Sequence, residues 1–185
     1  KLYDRQDKDL GNCILTEILR ARQKIELLKV PTLAEMAEDL VNEGNSVVVF
    51  LSFKESIAAI SKLLNTTCII DGDHTGSVRE ANRERFQSNE EKLCICSILA
   101  GGECIDLDDQ IGDFPRVELI NPDFSATRIR QAIGRTNRSK SKSKSIHKFC
   151  FAAGTIEDRA RQIVMEKSRN LALLNDNDLM MGLKI

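Results

Sequence analysis

Five consecutive apolar residues, Val47-Val48-Val49-Phe50-Leu51, do most to limit what this chain can fold into. Side chains alternate between the two faces of a strand, so an unbroken apolar run must be covered on both. Leu93–Ser97, Arg116–Ile120 and His147–Ala152 are expected as further strands, with Thr67–Ile70 a short one. Segments of helical spacing lie between them, such as Ile57, Ile60, Leu63 and Leu64, or the stretch ending at Phe86. Strands alternating with helices predict an α/β domain whose mostly parallel sheet has helices on both faces.

Capping patterns bound the helices. Ile14, Leu15, Ile18, Leu19, Ile25 and Leu28 repeat at helical spacing from Asn12 to Leu28. Thr32 with Glu35 makes a capping box after Pro31, opening a second helix that Gly44 stops. Ser52 with Glu55 and Ser77 with Glu80 repeat the pattern, and Thr155 with Asp158 opens a final helix to about Leu174. In open sheets of this kind ligands sit beyond the carboxyl ends of the strands. Ser52, Asp71, Ser97 and Asn121 belong to that rim.

A chain of 185 residues suits one domain and buries about 70% of its unfolded surface. With 42% apolar and 30% charged residues it has the balance of a soluble globular protein. Formal net charge is −1, which excludes a chain that is basic throughout. The charge is uneven, however: no acid lies between Phe124 and Ile156, where Arg128, Arg130, Arg135, Arg138, Lys140, Lys142, Lys144 and Lys148 all fall. Such a strip binds phosphate even when the total is neutral. The Ser139–Ser145 repeat of serine and lysine within it is expected to be a mobile surface loop. Six cysteines show no Cys-x-x-Cys pair and no histidine at zinc spacing, so buried free thiols in a reducing compartment are expected, and no metal. No apolar run approaches membrane-spanning length and the charged start is no signal peptide. The first residue is not methionine, consistent with a piece of something longer.

The most informative stretch for function is Gln131-Ala132-Ile133-Gly134-Arg135-Thr136-Asn137-Arg138. At 3.6 residues per turn Arg128, Gln131, Arg135 and Arg138 share one stripe, opposite Ile129, Ala132 and Ile133. Gly134 costs a helix about 1 kcal/mol relative to alanine, so it either ends the helix or admits something close to the backbone. Guanidiniums converging with an amide, and with no carboxylate nearby, suit an anion with several oxygens, such as a polyphosphate. A solvated basic face is the plainer reading of the same residues. A second stretch, Ser97 to Leu107, carries Gly101 and Gly102 just after a strand, where exposed N–H groups bind anions or simply form a turn.

Gln-x-x-Gly-Arg-x-x-Arg resembles motif VI of superfamily-two helicases and translocases. From Arg22 onward the chain resembles the C-terminal, RecA-like lobe of a Swi/Snf-type DNA translocase, of the annealing-helicase branch or a viral or phage relative. Val47 to Ser56 resembles motif IV, Ile70 to Gly76 the Asp-Gly-Ser turn, and Ser97 to Leu107 motif V. Asn121 to Ser125 and Gly154 to Arg159 resemble the stretches that flank the last helices of that lobe. The resemblance implies a RecA-like three-layer domain over residues 31–175, a helical lead-in over 1–30 and a tail over 176–185. It implies Arg135 and Arg138 as arginine fingers toward ATP, and Gln131, with Gly134, as the link between nucleotide state and motion. Ser97, Gly101 and Gly102 would hold DNA phosphates. Ser52, Phe53 and Lys54 would hold a neighbouring one, although Ser52 is equally suited to cap a helix. Asp106 aligns with a ribose-contacting aspartate. Cys104 and Glu103 depart from the family pattern, and the Ser-Lys loop replaces its continuation after Arg138.

No phosphate-cradling Gly-x-x-x-x-Gly-Lys-Ser/Thr run is present. ATP and Mg²⁺ would therefore be held mainly by a preceding N-terminal lobe, and this lobe alone would hydrolyse essentially no ATP. DNA, gripped by its backbone phosphates with little sequence preference, and that lobe are the expected partners; no membrane is. The implied location is intracellular, the nucleus in a eukaryote or the cytoplasm in a bacterium or for a virus. Two other readings fit: a non-catalytic nucleic-acid-binding module, and an unrelated domain for a small phosphorylated ligand.

Overall fold

The computed structural model describes residues 3–100, 105–162 and 165–166. Its elements run α1 (Tyr3–Asn42), β1 (Ser46–Leu51), α2 (Lys54–Leu63), β2 (Ile69–Ile70), α3 (Gly76–Gln87), β3 (Leu93–Ser97), a 3₁₀ turn (Ile98–Ala100), β4 (Arg116–Ile120), α4 (Ala126–Thr136) and β5 (Ser145–Phe149). The strands form one parallel sheet in the order β2-β3-β1-β4-β5. The α/β architecture expected from the sequence is therefore the one observed.

The apolar run in β1 explains the layering. Val47, Val49 and Leu51 face α1 and α2, packing with Val30, Leu33, Ala37, Ile57 and Ile60. Val48 and Phe50 face the other way, with Phe86 of α3 and Ile129 and Ala132 of α4. Each fully buried side chain of this size contributes about 1.5–3 kcal/mol over its exposed state. Cys68, Cys94 and Cys96 are buried free thiols on the α3/α4 face, as their spacing suggests.

Three local expectations are corrected. Thr32 does not open a second helix; α1 runs unbroken through Pro31. Pro31 is exposed, whereas Val30, Leu33, Ala34 and Ala37 around it are buried on the sheet. That packing outweighs the cost of about 3 kcal/mol for an interior proline. Gly44, at φ +92°, does end the segment in a conformation glycine adopts freely. Ser52 is no cap: the N-cap of α2 is Phe53, without a side-chain cap bond. Ser77 is no cap either, since α3 begins at Gly76 and Glu80 turns to Arg83. The Ser-Lys segment lies at the surface as expected, with Ser143 Oγ donating to the Phe114 carbonyl (3.1 Å) and Lys142 N–H to that of Asp109 (2.8 Å).

Thr155 opens the last helix as expected. Its Oγ1 accepts from Glu157 N (3.2 Å), and Asp158 reaches back to Gly154 N (2.7 Å). The continuation to Leu174 and the 176–185 tail lie outside the described residues.

Candidate nucleotide and nucleic-acid interface

Ser125 starts α4 by accepting from Arg128 N (3.4 Å), and its own N–H is held by Asp123 (2.7 Å). Ile129 and Ala132 are buried and Gln131 is exposed, as the predicted stripe requires. Gly134 does not end the helix, and a Cβ there would meet nothing within 4 Å, so its lack of a side chain leaves the outer surface of α4 open. The helix stops at Thr136, with Asn137 at ψ 87°. Arg138 therefore lies beyond it and off the stripe.

The two arginines differ sharply. Arg135 is 4% exposed, and its guanidinium sits 5.9 Å from the Phe50 ring centroid. Its Nη1 is buried with no hydrogen-bond partner among the described residues. The Arg138 side chain is 42% exposed and pairs with Asp106 at 2.6 Å. The expectation of converging cations without a carboxylate is thus corrected: Asp106 meets Arg138, and Asp123 lies 3.5 Å from Arg128. One backbone bond brings Asp106 to Arg138. Leu107 N–H donates to the Arg135 carbonyl (2.8 Å), laying the 105–109 loop along the end of α4. Arg116 grips the other side of that loop through Nε to the Leu107 carbonyl (3.1 Å) while stacking on Phe86.

At the carboxyl rim Ser97 is nearly buried, and its Oγ accepts from Leu99 N (3.3 Å). Gly101 and Gly102 lie outside the described residues. Lys54 pairs with Asp73, and Asp71 accepts from the N–H groups of Asp73 and His74 and from the His74 ring. Burial works against ionisation of Asp71, yet the bonds from His74 and Asp73 outweigh it and hold the carboxyl below its ordinary range. The Ser52 and Phe53 N–H groups, at the start of α2, are occupied by the Glu26 carboxylate of α1 at 3.0 and 2.9 Å. The Ser52 hydroxyl is buried with no partner among the described residues.

Glu26 belongs to a buried network that motif spacing did not reveal. It also accepts from Asn121 Nδ2, while Lys29 Nζ reaches Asn121 Oδ1, the Cys150 carbonyl (2.9 Å) and Glu157 (2.7 Å). Burial raises the Glu26 pKa and lowers that of Lys29. The ends of β1, β4 and β5 are thereby tied to α1. Arg22 completes the clamp, stacking on Phe124 at 4.8 Å and pairing with Asp123 at 3.2 Å. A charged residue on the sheet-facing side of α1 was the available signal for Glu26.

Chemically, the end of α4 offers one exposed guanidinium and one buried guanidinium with a spare donor. No group of His, Cys, Asp and Glu among the described residues is arranged to hold a metal ion. No helix among them is long and apolar enough to cross a membrane.

The profile of a family described as helicase conserved C-terminal domain matches residues 28–140. A protein of Acanthamoeba polyphaga mimivirus, provisionally named ATP-dependent RNA helicase L364, is 36% identical over 166 residues. That match covers 89% of this chain, and the chain spans 31% of the viral protein. Among solved structures, the C-terminal part of the Fun30 ATPase domain superposes with a TM-score of 0.59 at 22% identity, over 74% of this chain and 45% of that one. The C-terminal domain of the DEAD-box protein Dbp5 gives 0.54 at 19% identity, over 77% and 78%. Both show the likeness of fold.

Proposed function

Since the chain belongs to the helicase conserved C-terminal domain family, we propose that it is the second motor lobe of an ATP-dependent translocase of the Swi/Snf type, acting on a DNA backbone. A preceding lobe would hold ATP, which supplies the phosphoryl group to be cleaved, together with Mg²⁺. This chain's part is to bring Arg138, backed by Arg135, against the phosphate edge when the lobes close.

The observation that carries this reading is the state of Arg138, half-exposed just past α4 and paired, among the described residues, with the half-exposed Asp106 side chain. An exposed pair of this kind is worth about 0–1 kcal/mol. An arginine finger contributes about 10³ to 10⁵ in rate, or roughly 4–7 kcal/mol. A polyphosphate would therefore draw Arg138 away from Asp106 at little cost, leaving Asp106 for a ribose hydroxyl. Arg135 keeps an unused buried donor and lies against β1, well suited to stiffen the end of α4. Gln131 is exposed one turn before Arg135.

Strand contact falls to the rim. Ser97, the Gly101-Gly102 pair and Lys54 would meet phosphates, and Lys54 would do so by leaving Asp73. The Ser52 and Phe53 N–H groups serve only where Glu26 withdraws. The buried thiols suit an intracellular, reducing location, the nucleus or cytoplasm according to the host.

One observation favours RNA as the strand: the viral relative is named an RNA helicase. ATP hydrolysis by the two-lobe protein, measured with duplex DNA, forked DNA, single-stranded DNA and RNA, separates the readings. Stimulation by DNA that falls steeply with salt is expected. Stimulation by RNA alone selects the second reading, and none by either rejects both.

A further inference from the structure

Glu118 sits in the middle of β4, between Val48 of β1 and His147 of β5, and is completely buried. A carboxylate in a sheet covered on both faces is costly unless each oxygen is bonded. Both are. Oε1 accepts from the Thr136 hydroxyl at 2.6 Å, and Oε2 lies 2.6 Å from His147 Nδ1. Burial nonetheless raises the Glu118 pKa, with His147, Thr136 and the Arg135 charge opposing it.

Thr136 is the last residue of α4 and is also fully buried. The chain leaves the helix there, and Arg138 follows two residues later. On one side of Thr136 the Arg135 carbonyl is held by Leu107 N–H (2.8 Å). On the other, the Arg138 carbonyl accepts from Ser141 N–H (3.1 Å), and its guanidinium, among the described residues, pairs with the partly exposed Asp106 carboxylate. The bond from Thr136 to the sheet is therefore the innermost fixed point before the arginine that must reach outward.

We infer that Glu118 is a positioning residue: through Thr136 it sets the direction in which the chain leaves α4, and so the reach of Arg138. This rests on the reading of Arg138 as the phosphate-contacting group. A hydrophobic side chain would fill the same place in β4 at lower desolvation cost. Glu118 instead provides a directional anchor, with His147 occupying the second oxygen so that the first stays aimed at Thr136.

The test uses the two-lobe protein with saturating nucleic acid, measuring kcat and KM for ATP. Thr136→Val keeps the shape and removes the donor; it should lower kcat about tenfold, the scale of one hydrogen bond to a charged acceptor, with KM within about twofold. Thr136→Ser restores the hydroxyl and should recover most of kcat. Glu118→Val should match Thr136→Val, and the isosteric threonine pair decides the matter if that variant does not fold. Arg138→Ala is the control. If it abolishes turnover while Thr136→Val and Glu118→Val leave kcat unchanged, Glu118 has no positioning role although the reading of Arg138 stands. Failure of Thr136→Ser to rescue overturns the inference in the same way. If Arg138→Ala turns over normally, the reading of Arg138 fails and the inference falls with it.

Discussion

Glu26→Ala should loosen α1 from the sheet, and the structure sets the size of the loss. The carboxylate is fully buried and accepts from three donors: Ser52 N, Phe53 N and Asn121 Nδ2. Alanine leaves all three without that acceptor. Each orphaned buried donor costs about 1–3 kcal/mol, which bounds the total at roughly 3–9 kcal/mol. Two effects reduce it. Burial already penalises the ionised carboxylate, as its raised pKa records, and a cavity at the rim admits water. A net loss of about 3–5 kcal/mol follows, which for a domain of this size is roughly 6–20 °C in Tm. Urea unfolding followed by circular dichroism measures it. Glu26→Gln keeps one acceptor oxygen but turns an amide donor toward the remaining N–H groups, so it should fall between the two. A Glu26→Ala variant within about 1 kcal/mol of the parent would refute the idea that this network fastens α1.

Pro31→Ala should stabilise the chain by about 1–3 kcal/mol, because it restores an N–H to the helix at an exposed site; the more flexible unfolded chain offsets part of the gain. Chemical denaturation checks this, and a loss of stability would show that the proline shapes α1 in a way packing requires. The raised Glu118 pKa means that the folded state binds this proton more readily than the unfolded state. Its contribution is fully present below the ordinary glutamate pKa and is lost as pH rises through the folded-state value. Stability of the parent relative to Glu118→Gln should therefore increase as pH falls from neutrality toward the ordinary glutamate range. An unchanged difference across that window would contradict the burial argument.

The sheet was legible because its strands satisfy a strong local rule. Val47 to Leu51 and Leu93 to Ser97 are apolar on both faces, and only a covered sheet accommodates that. Helix ends were less legible, since a cap pattern such as Ser52 with Glu55 assumes that orphan N–H groups are satisfied nearby in sequence. Here the Ser52 and Phe53 N–H groups are satisfied by Glu26, from another helix. Pro31 misled in the same way, as packing of Val30 and Leu33 outweighed a local preference. In the candidate site, helical periodicity correctly exposed Gln131 and buried Ile129. It also placed on that stripe Arg135, which is buried against Phe50, and it extended the stripe two residues too far, because the stop at Thr136 depends on contacts from Leu107 and Glu118. The pairing of Arg138 with Asp106 has no sequence signal short of the three-dimensional fold. Glu118 did leave a trace: an acid flanked by the apolar residues Val117, Leu119 and Ile120, which a two-faced strand does not tolerate without partners.

The most direct test of the account is single-turnover ATP hydrolysis by the two-lobe protein carrying Arg138→Ala, with nucleic-acid affinity measured in parallel. The hydrolysis rate should fall by about 10³ or more, with affinity for the strand little changed, since Arg138 would meet the nucleotide rather than the backbone. Hydrolysis at the parental rate, or a loss of strand binding with chemistry intact, would contradict it.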